Sequence, residues 1–345
     1  MRVLQVMAGA QHGGAELFFE RLTLALGRAG VEQHAMIRTM PARAARLRSA
    51  GIATAELRFG GVLDFCTARS IRREIANYRP DVVLSWMSRA TQKTPPRIYG
   101  DRLPVHCARL GGYYSLRHYR HCDHLIGNTL DIVDYLKAQG WPAARAHYLP
   151  NFADAITAPP APRELFSTPG DAPLLLAMGR LHFNKGFDVL LAAMVQLPGV
   201  YLWLGGEGPE EPALRAQAAR LQLSGRVRFL GWRDDGPALM AAADVLVCPS
   251  RLEPRGNVVI EAWAQGIPVA ATRARGPEAL IQDGVTGVLA DCEDADALAS
   301  AIRRIAGDRA FSADLIAAGR EAYQQNFTQA AVVASYQAFF EKVAA

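Results

Sequence analysis

Two runs of alternating strand-like and helix-like segments, separated by one stretch where the alternation stops, constrain this chain more than anything else in it. In the first run, Val3–Ala8 is a short apolar segment, and Ala15–Ala29 follows with helical spacing through Leu17, Phe18, Leu22, Leu24 and Leu26. The stretch 67–78 reads as a helix, Asp81–Trp86 as a second buried strand, and Val105–Leu110 and Leu125–Gly127 as further strands. Between 154 and 173, Ala-Pro-Pro-Ala-Pro and Ser-Thr-Pro-Gly-Asp-Ala-Pro mark a stiff connection. The alternation then resumes, with strands at 174–178, 200–204, 227–230, 245–248 and 269–271 and helices at 186–196, 210–223, 235–242 and 257–265. Segments 294–306 and 328–343 read as closing helices. Strand, crossover helix, parallel strand is the rhythm of a doubly wound α/β sheet. Its repetition predicts two such domains, 1–155 and 156–326, facing a central cleft where strand ends and helix N-termini converge.

Length and composition agree. A chain of 345 residues that is 50% hydrophobic and 21% charged can build two packed cores and shows no sign of general disorder. Its five cysteines form no Cys-x-x-Cys pair and are odd in number, which fits a reduced, cytoplasmic protein. The opening Met1–Ala10 is broken by Gln5 and ends at a Gly-Gly loop, so it reads as a first strand rather than a leader. No apolar run reaches 18 residues, the length a membrane-spanning helix requires.

Charge is unevenly placed. Residues 1–150 hold 21 Lys/Arg against 11 Asp/Glu, whereas the remainder hold 17 against 22. The basic half is rich in arginine, including Arg43, Arg46, Arg48, Arg69, Arg72 and Arg73. Such a face suits an anionic acceptor or a peripheral contact with a membrane surface, and equally an ordinary solvated surface. No nucleic-acid-binding module accompanies the charge.

The densest chemistry lies at Glu253-Pro-Arg-Gly-Asn-Val-Val-Ile-Glu261. Pro254 and Gly256 are poor interior helix residues, while the chain from Asn257 runs without a breaker to Gly266. Glu253 is therefore expected in a loop and Glu261 about one turn inside a helix. The N–H groups of Gly256, Asn257 and Val258 have no partner within that helix and stand at the positive end of its dipole. Amides for phosphates, with a carboxylate on each side for hydroxyls, suit a sugar diphosphate.

This segment, running on as Glu-Ala-x-Ala-x-Gly-x-Pro-Val, resembles the donor-site signature of glycosyltransferase family 4, the retaining nucleotide-sugar transferases of the GT-B fold. Its companions follow in order. Gly179-Arg180-Leu181 with Asn184-Lys185-Gly186 is similar to the family's basic diphosphate motif, Gly205-Gly206-Glu207-Gly208-Pro209 to the turn after its next strand, and Gly13-Gly14-Ala15-Glu16 to its first glycine-rich loop. The resemblance implies that Arg180 and Lys185 stabilise the departing diphosphate and that Glu253 faces the transferred sugar. Glu261 would accept the ribose hydroxyls, and Gly13 and Gly14 would let backbone approach the donor. It implies retention without a protein nucleophile, and a last helix, from about 327, that packs back on the first domain. The family's usual first-domain histidine falls at Leu110 here; His106 and His118 lie nearby, and His12 adjoins the glycine loop. The expected donor is a UDP-sugar, with GDP-mannose next, its base sensed near Leu230–Arg233, and the acceptor an anionic or lipid-linked glycan of the cell envelope.

No cofactor and no metal are expected. His118, His121 and His124 recur every three residues around Cys122, but on a helix that spacing drifts about 60° per step, so they read as a polar helix. Asp294 and Asp296 open a helical run and read as its cap. Three other functions would suit the same architecture: a nucleotide-sugar epimerase, a non-catalytic scaffold and an NAD-dependent oxidoreductase. The last lacks its Gly-x-Gly-x-x-Gly fingerprint.

Overall fold

Strands covered on both faces show unbroken apolar runs rather than alternation, because neither face meets water. In β1 (Arg2–Met7) every residue from Val3 onward is buried. The computed structural model describes residues 1–10, 13–61, 63–96, 104–254 and 256–345. They divide into two units, Met1–Asn151 with Gln329–Ala345, and Phe152–Thr328.

In the first unit β1 is followed by α1 (Gly14–Arg28), β2 (Glu32–Arg38), α2 (Pro41–Ser49), β3 (Ala53–Leu57), α3 (Phe65–Tyr78), β4 (Val82–Trp86), α4 (Met87–Lys93), β5 (Val105–Leu110), β6 (His124–Gly127), α5 (Leu130–Ala138) and β7 (Ala146–Tyr148). The seven strands form one parallel sheet in the order β3-β2-β1-β4-β5-β6-β7. All five residues of β4 are buried, and its neighbour β5 is buried from His106 to Leu110.

The second unit holds β8 (Leu174–Met178), α6 (Phe187–Met194), β9 (Tyr201–Gly205), α7 (Glu211–Arg220), β10 (Val227–Gly231), α8 (Gly236–Ala242), β11 (Val245–Cys248), α9 (Asn257–Gln265), β12 (Val269–Thr272), α10 (Arg275–Leu280), β13 (Val288–Ala290), α11 (Ala295–Gly307) and α12 (Arg309–Asn326). Its parallel sheet runs β10-β9-β8-β11-β12-β13. One core, around Leu191, Leu204 and Ile302, covers one face; another, around Trp203, Trp263 and Leu246, covers the other.

The closing helix α13 (Gln329–Ala344) belongs to the first unit. It buries Val332, Val333, Tyr336, Phe339 and Phe340, each contributing about 1.5–3 kcal/mol of gross burial. Arg109, only 2% exposed, fixes its seat. Nε donates to the Tyr336 hydroxyl at 2.7 Å and Nη2 to Asn151 at 2.5 Å, while the guanidinium lies 4.6 Å and 4.8 Å from the rings of Phe18 and Trp86.

Several elements were not legible beforehand. The strand β2 opens on Glu32 and Gln33 and ends on Arg38, α2 carries Arg43, Arg46 and Arg48, β3 has no fully buried residue, and α12 buries only Leu315, Gly319 and Tyr323. The Pro-rich stretch expected as a connection is laid on the second unit: Ala161 N–H donates to Ala238 at 2.9 Å, and Trp203 Nε1 donates to the Thr168 hydroxyl at 2.9 Å.

Candidate functional site

Strand order reverses direction between β8 and β11, the place in a doubly wound sheet where ligands bind outside the carboxyl ends of the strands. After β8, residues 179–181 run beside the end of β9, with Gly179 N–H donating to Gly205 and Leu181 N–H to Glu207, both at 2.9 Å. Gly206 has φ +135°, and a Cβ on it would lie 1.9 Å from the Gly179 carbonyl oxygen. The chain then makes a 3-10 turn at Phe183–Lys185 and passes through Gly186, with φ +63°, into α6. A Cβ on Gly186 would lie 2.0 Å from the Pro249 carbonyl oxygen. The loop after β8 therefore rests directly on the loop after β11. The Asn184 carbonyl joins them further, accepting from Arg251 N–H at 2.9 Å and Leu252 N–H at 3.1 Å.

That contact brings Lys185 and Glu253 together. Lys185 Nζ is ion-paired with Glu253 Oε2, and the two side chains are 26% and 11% exposed. The other carboxylate oxygen of Glu253 accepts the Gly256 N–H at 3.3 Å. Gly256, at φ +62°, turns the chain into α9, whose first residues Asn257 and Val258 are half-buried. One cation, one carboxylate and a helix N-terminus thus share a single spot, where the helix dipole favours negative charge. Beneath it, burial pushes the Cys248 thiol up to about 11, and the nearby Glu253 charge adds to the shift.

Arg251 holds this loop pair from the side. Its guanidinium bonds both oxygens of Asp188 at 2.6 Å, pairs with Glu293, donates to the Phe183 carbonyl at 2.9 Å and lies 4.2 Å from the Phe183 ring. Those hydrogen bonds to Asp188 and then Glu293 raise its pKa above the ordinary arginine value. Burial pushes the Asp188 carboxyl up, but the Arg251 bonds more than offset this and leave it below its usual range.

Arg180 is exposed on the 179–181 segment. Glu261 is half-buried one turn into α9, beside the buried Ile260, Ala262 and Trp263. Gly13 and Gly14 lie at the β1–α1 turn of the first unit. The Glu16 carboxylate, on a side chain only 8% exposed, accepts the Ala10 N–H at 2.8 Å and fills the space a Cβ would need at Gly9 and Gly13. His12 is outside the described residues. Leu110 is fully buried, and His106 is an interior residue of β5, where burial pushes its imidazole down to about 3.

Two expectations need correction. His118, His121 and His124 do not share a helix. His118 closes a 3-10 turn, His121 lies in the following turn and His124 opens β6. His121 and Cys122 instead converge with His106 from β5. The basic cluster of Arg43, Arg46 and Arg48 is not a bare cationic surface either. Arg43 is buried beside Glu20, Arg46 is bidentate on Glu20, and Arg48 pairs with Glu56. On α3, by contrast, Arg69, Arg72 and Arg73 are exposed, Phe65 at its start is 72% exposed, and Leu63 just before it is 84% exposed. Asp294 caps α11, accepting Ala297 N–H at 2.8 Å.

Sequence reasoning passed over Arg251, although its place two residues before Glu253 and three after a predicted strand marked it. It also missed the role of Glu16, because a carboxylate folded back on its own loop leaves no spacing signature. Within the predicted base-sensing stretch, Trp232 is 76% exposed, and its backbone N–H donates to the Glu207 carboxylate at 3.3 Å.

A family profile described as Glycosyl transferases group 1 matches residues 172–308. The chain is 38% identical over 332 residues to the lipopolysaccharide core biosynthesis glycosyltransferase LpsE of Rhizobium meliloti (strain 1021), covering 94% of each chain. It is 34% identical over 346 residues to LpsD of the same strain, a lipopolysaccharide core biosynthesis glycosyltransferase, covering 99% of this chain and 98% of that one. Among solved structures, Anabaena Alr3699/HepE in complex with UDP superposes with TM-score 0.84 at 22% identity, covering 99% of this chain and 100% of that one.

Proposed function

This chain belongs to the group 1 glycosyl transferases, family-4 enzymes of the GT-B fold, and we propose that it moves a hexose from a UDP-sugar to a lipopolysaccharide core acceptor with retention of configuration. The observation that carries the reading is the meeting of Lys185, Glu253 and the α9 N-terminus at the β8/β11 crevice. The lipopolysaccharide assignment follows the two Rhizobium relatives, and the choice of UDP follows the UDP complex of the Anabaena protein; GDP-mannose is the next donor to test. Nothing in those relatives supports the epimerase alternative.

The chemistry runs through charge. Breaking the glycosidic bond of the donor leaves negative charge on the departing diphosphate, which fixed donors stabilise most when already in place. Lys185 turns from Glu253 to a phosphate oxygen, and each charge-assisted bond of that kind contributes about 1.5–3 kcal/mol. The amides of Asn257 and Val258 receive the remaining phosphate oxygens, and the exposed Arg180 reaches the same group. Glu253, released by Lys185, accepts hydroxyls of the transferred sugar. Glu261 accepts the ribose hydroxyls, and Trp232 offers a stacking face to the base. The acceptor hydroxyl attacks from the side the diphosphate leaves and gives its proton to the departing oxygen, so no metal and no protein nucleophile take part.

The first unit takes the acceptor, with its basic surface toward anionic core sugars. Peripheral contact with the inner face of the cytoplasmic membrane runs through α3, where Leu63 and Phe65 stand out beside Arg69, Arg72 and Arg73. Reversing those three arginines to glutamate abolishes sedimentation with anionic liposomes while leaving nucleotide binding intact. Unchanged sedimentation removes the membrane reading.

A thermal-shift comparison of UDP, GDP, ADP and NAD, each with and without EDTA, tests the donor. A nucleotide at 100 times its Kd adds about 2.7 kcal/mol. An increment from UDP alone, the same with EDTA, supports the reading; one from NAD alone, or from none, overturns it.

A further inference from the structure

The imidazoles of His106 and His121 and the thiol of Cys122 meet in the first unit. One nitrogen of each ring and the Cys122 sulfur all lie within 4.8 Å of one another. The rings are 5.3 Å apart between centroids, and Cys122 Sγ is 4.0 Å from His106 Nε2.

Hydrogen bonding favours one tautomer of each ring, with the Ser85 hydroxyl also 3.5 Å from the Cys107 carbonyl. The Thr91 hydroxyl donates to the Met87 carbonyl at 2.8 Å, so toward Ser85 it can only accept. Ser85 Oγ therefore donates to Thr91 Oγ1 at 2.9 Å and accepts from His106 Nε2–H at 2.9 Å. His106 Nδ1 is left with a lone pair and no donor, on a side chain only 6% exposed. His121 Nε2 faces the Thr91 carbonyl at 3.1 Å, and a carbonyl only accepts, so that nitrogen carries the proton and Nδ1 the lone pair. His121 thus keeps a lone pair with its N–H held by an oxygen, the arrangement that orients metal-binding histidines, and His106 presents Nε2 to Cys122 Sγ when its proton moves to the unpartnered Nδ1. The cluster borders a cavity of about 760 Å³ lined also by Pro95, Pro104 and Asp123.

We propose that His106, His121 and Cys122 form a binding site for a thiophilic d10 cation of the Zn2+ class, with its fourth position open to that cavity. Two imidazoles and one thiolate are borderline-to-soft donors, which disfavours Mg2+ and Ca2+. The bond forms as the metal replaces the Cys122 thiol proton, so one H+ is released per cation bound and no electron moves. A cation here ties the turn before β6 to the middle of the sheet at β5.

The test is titration of the full-length, EDTA-stripped protein with Co2+ and then Zn2+. The expected result is one Co2+ per chain with thiolate-to-cobalt charge-transfer absorption, displaced by Zn2+. Cys122→Ser loses the absorption, and His121→Gln weakens binding by more than about tenfold. His121 is half-buried, so His121→Gln keeps the test available if Cys122→Ser does not fold. Absence of the charge-transfer band in the wild type, or metal uptake unchanged in His121→Gln, overturns the proposal and leaves only adventitious binding at surface histidines.

Discussion

Gly186→Ala measures how tightly the two loops of the donor crevice are held. The substitution has two consequences that can be separated. An L-residue at φ +63° costs about 1–2 kcal/mol in the left-handed region. The new Cβ would also sit 2.0 Å from the Pro249 carbonyl, where real contacts stay at 3.0 Å or beyond, so two backbones must part by about 1 Å (3.0 − 2.0). Overpacking of that kind adds about 1–3 kcal/mol. Gly199→Ala is the matched control, because Gly199 has φ +76° but nothing within 4 Å of its Cβ position. It incurs the backbone cost alone. Parting the loops also carries Lys185 away from α9, and losing one charge-assisted phosphate contact weakens a nucleoside diphosphate roughly ten- to hundredfold. Thermal melts report the stability difference and isothermal titration with UDP reports affinity. If Gly186→Ala melts with Gly199→Ala and binds UDP like the wild type, the loop contact does not position the site.

Three further outcomes are expected. Lys185→Ala and Glu253→Gln each slow transfer, and because the two side chains are paired, the double variant falls short of the summed effects by about 0.5–3 kcal/mol in a cycle on kcat/KM; strict additivity refutes the coupling. Arg251→Met removes bonds to Asp188 and Glu293, which are 42% and 57% exposed and so partly rehydrated, leaving a loss of about 1–3 kcal/mol. Hydrogen exchange should rise at 179–188, and unchanged protection there sinks the idea that Arg251 clamps the loop. Burial, then the mutual charge and Lys342, pushes His147 down to about 4, and His124, bonded to it at 2.9 Å, is also lowered by burial first. An unfolded histidine takes its proton near pH 6.5. The contribution of the pair is therefore whole above about 6.5 and is lost as pH falls toward 4. Both rings lie against Phe339, so exchange at 329–345 should quicken over that window; a flat profile refutes it.

The loops after β8 and β11 were legible because their local requirements fall on single positions. Gly186 and Gly256 announce themselves by residue type, since a positive φ and a helix start are each requirements on one or two positions. The doubly wound sheets were legible for a related reason, as strands buried on both faces write continuous apolar runs. What neighbours do to one another was not legible. That Lys185 is matched to Glu253, that Arg43 is buried beside Glu20 and that Arg251 bridges α6 to Glu293 depend on chain crossings tens of residues apart.

The sequence by itself determined the secondary-structure rhythm, the break between its two halves and the order of the donor motifs, because periodicity and backbone conformation are decided within a few residues. Only the tertiary structure decided partnership. Parallel strands pair across long crossovers, so His106 on β5 meets Cys122 ahead of β6, and Arg109 meets Tyr336 at the far end of the chain. A residue's type states what it can bond, and the fold states what stands in front of it.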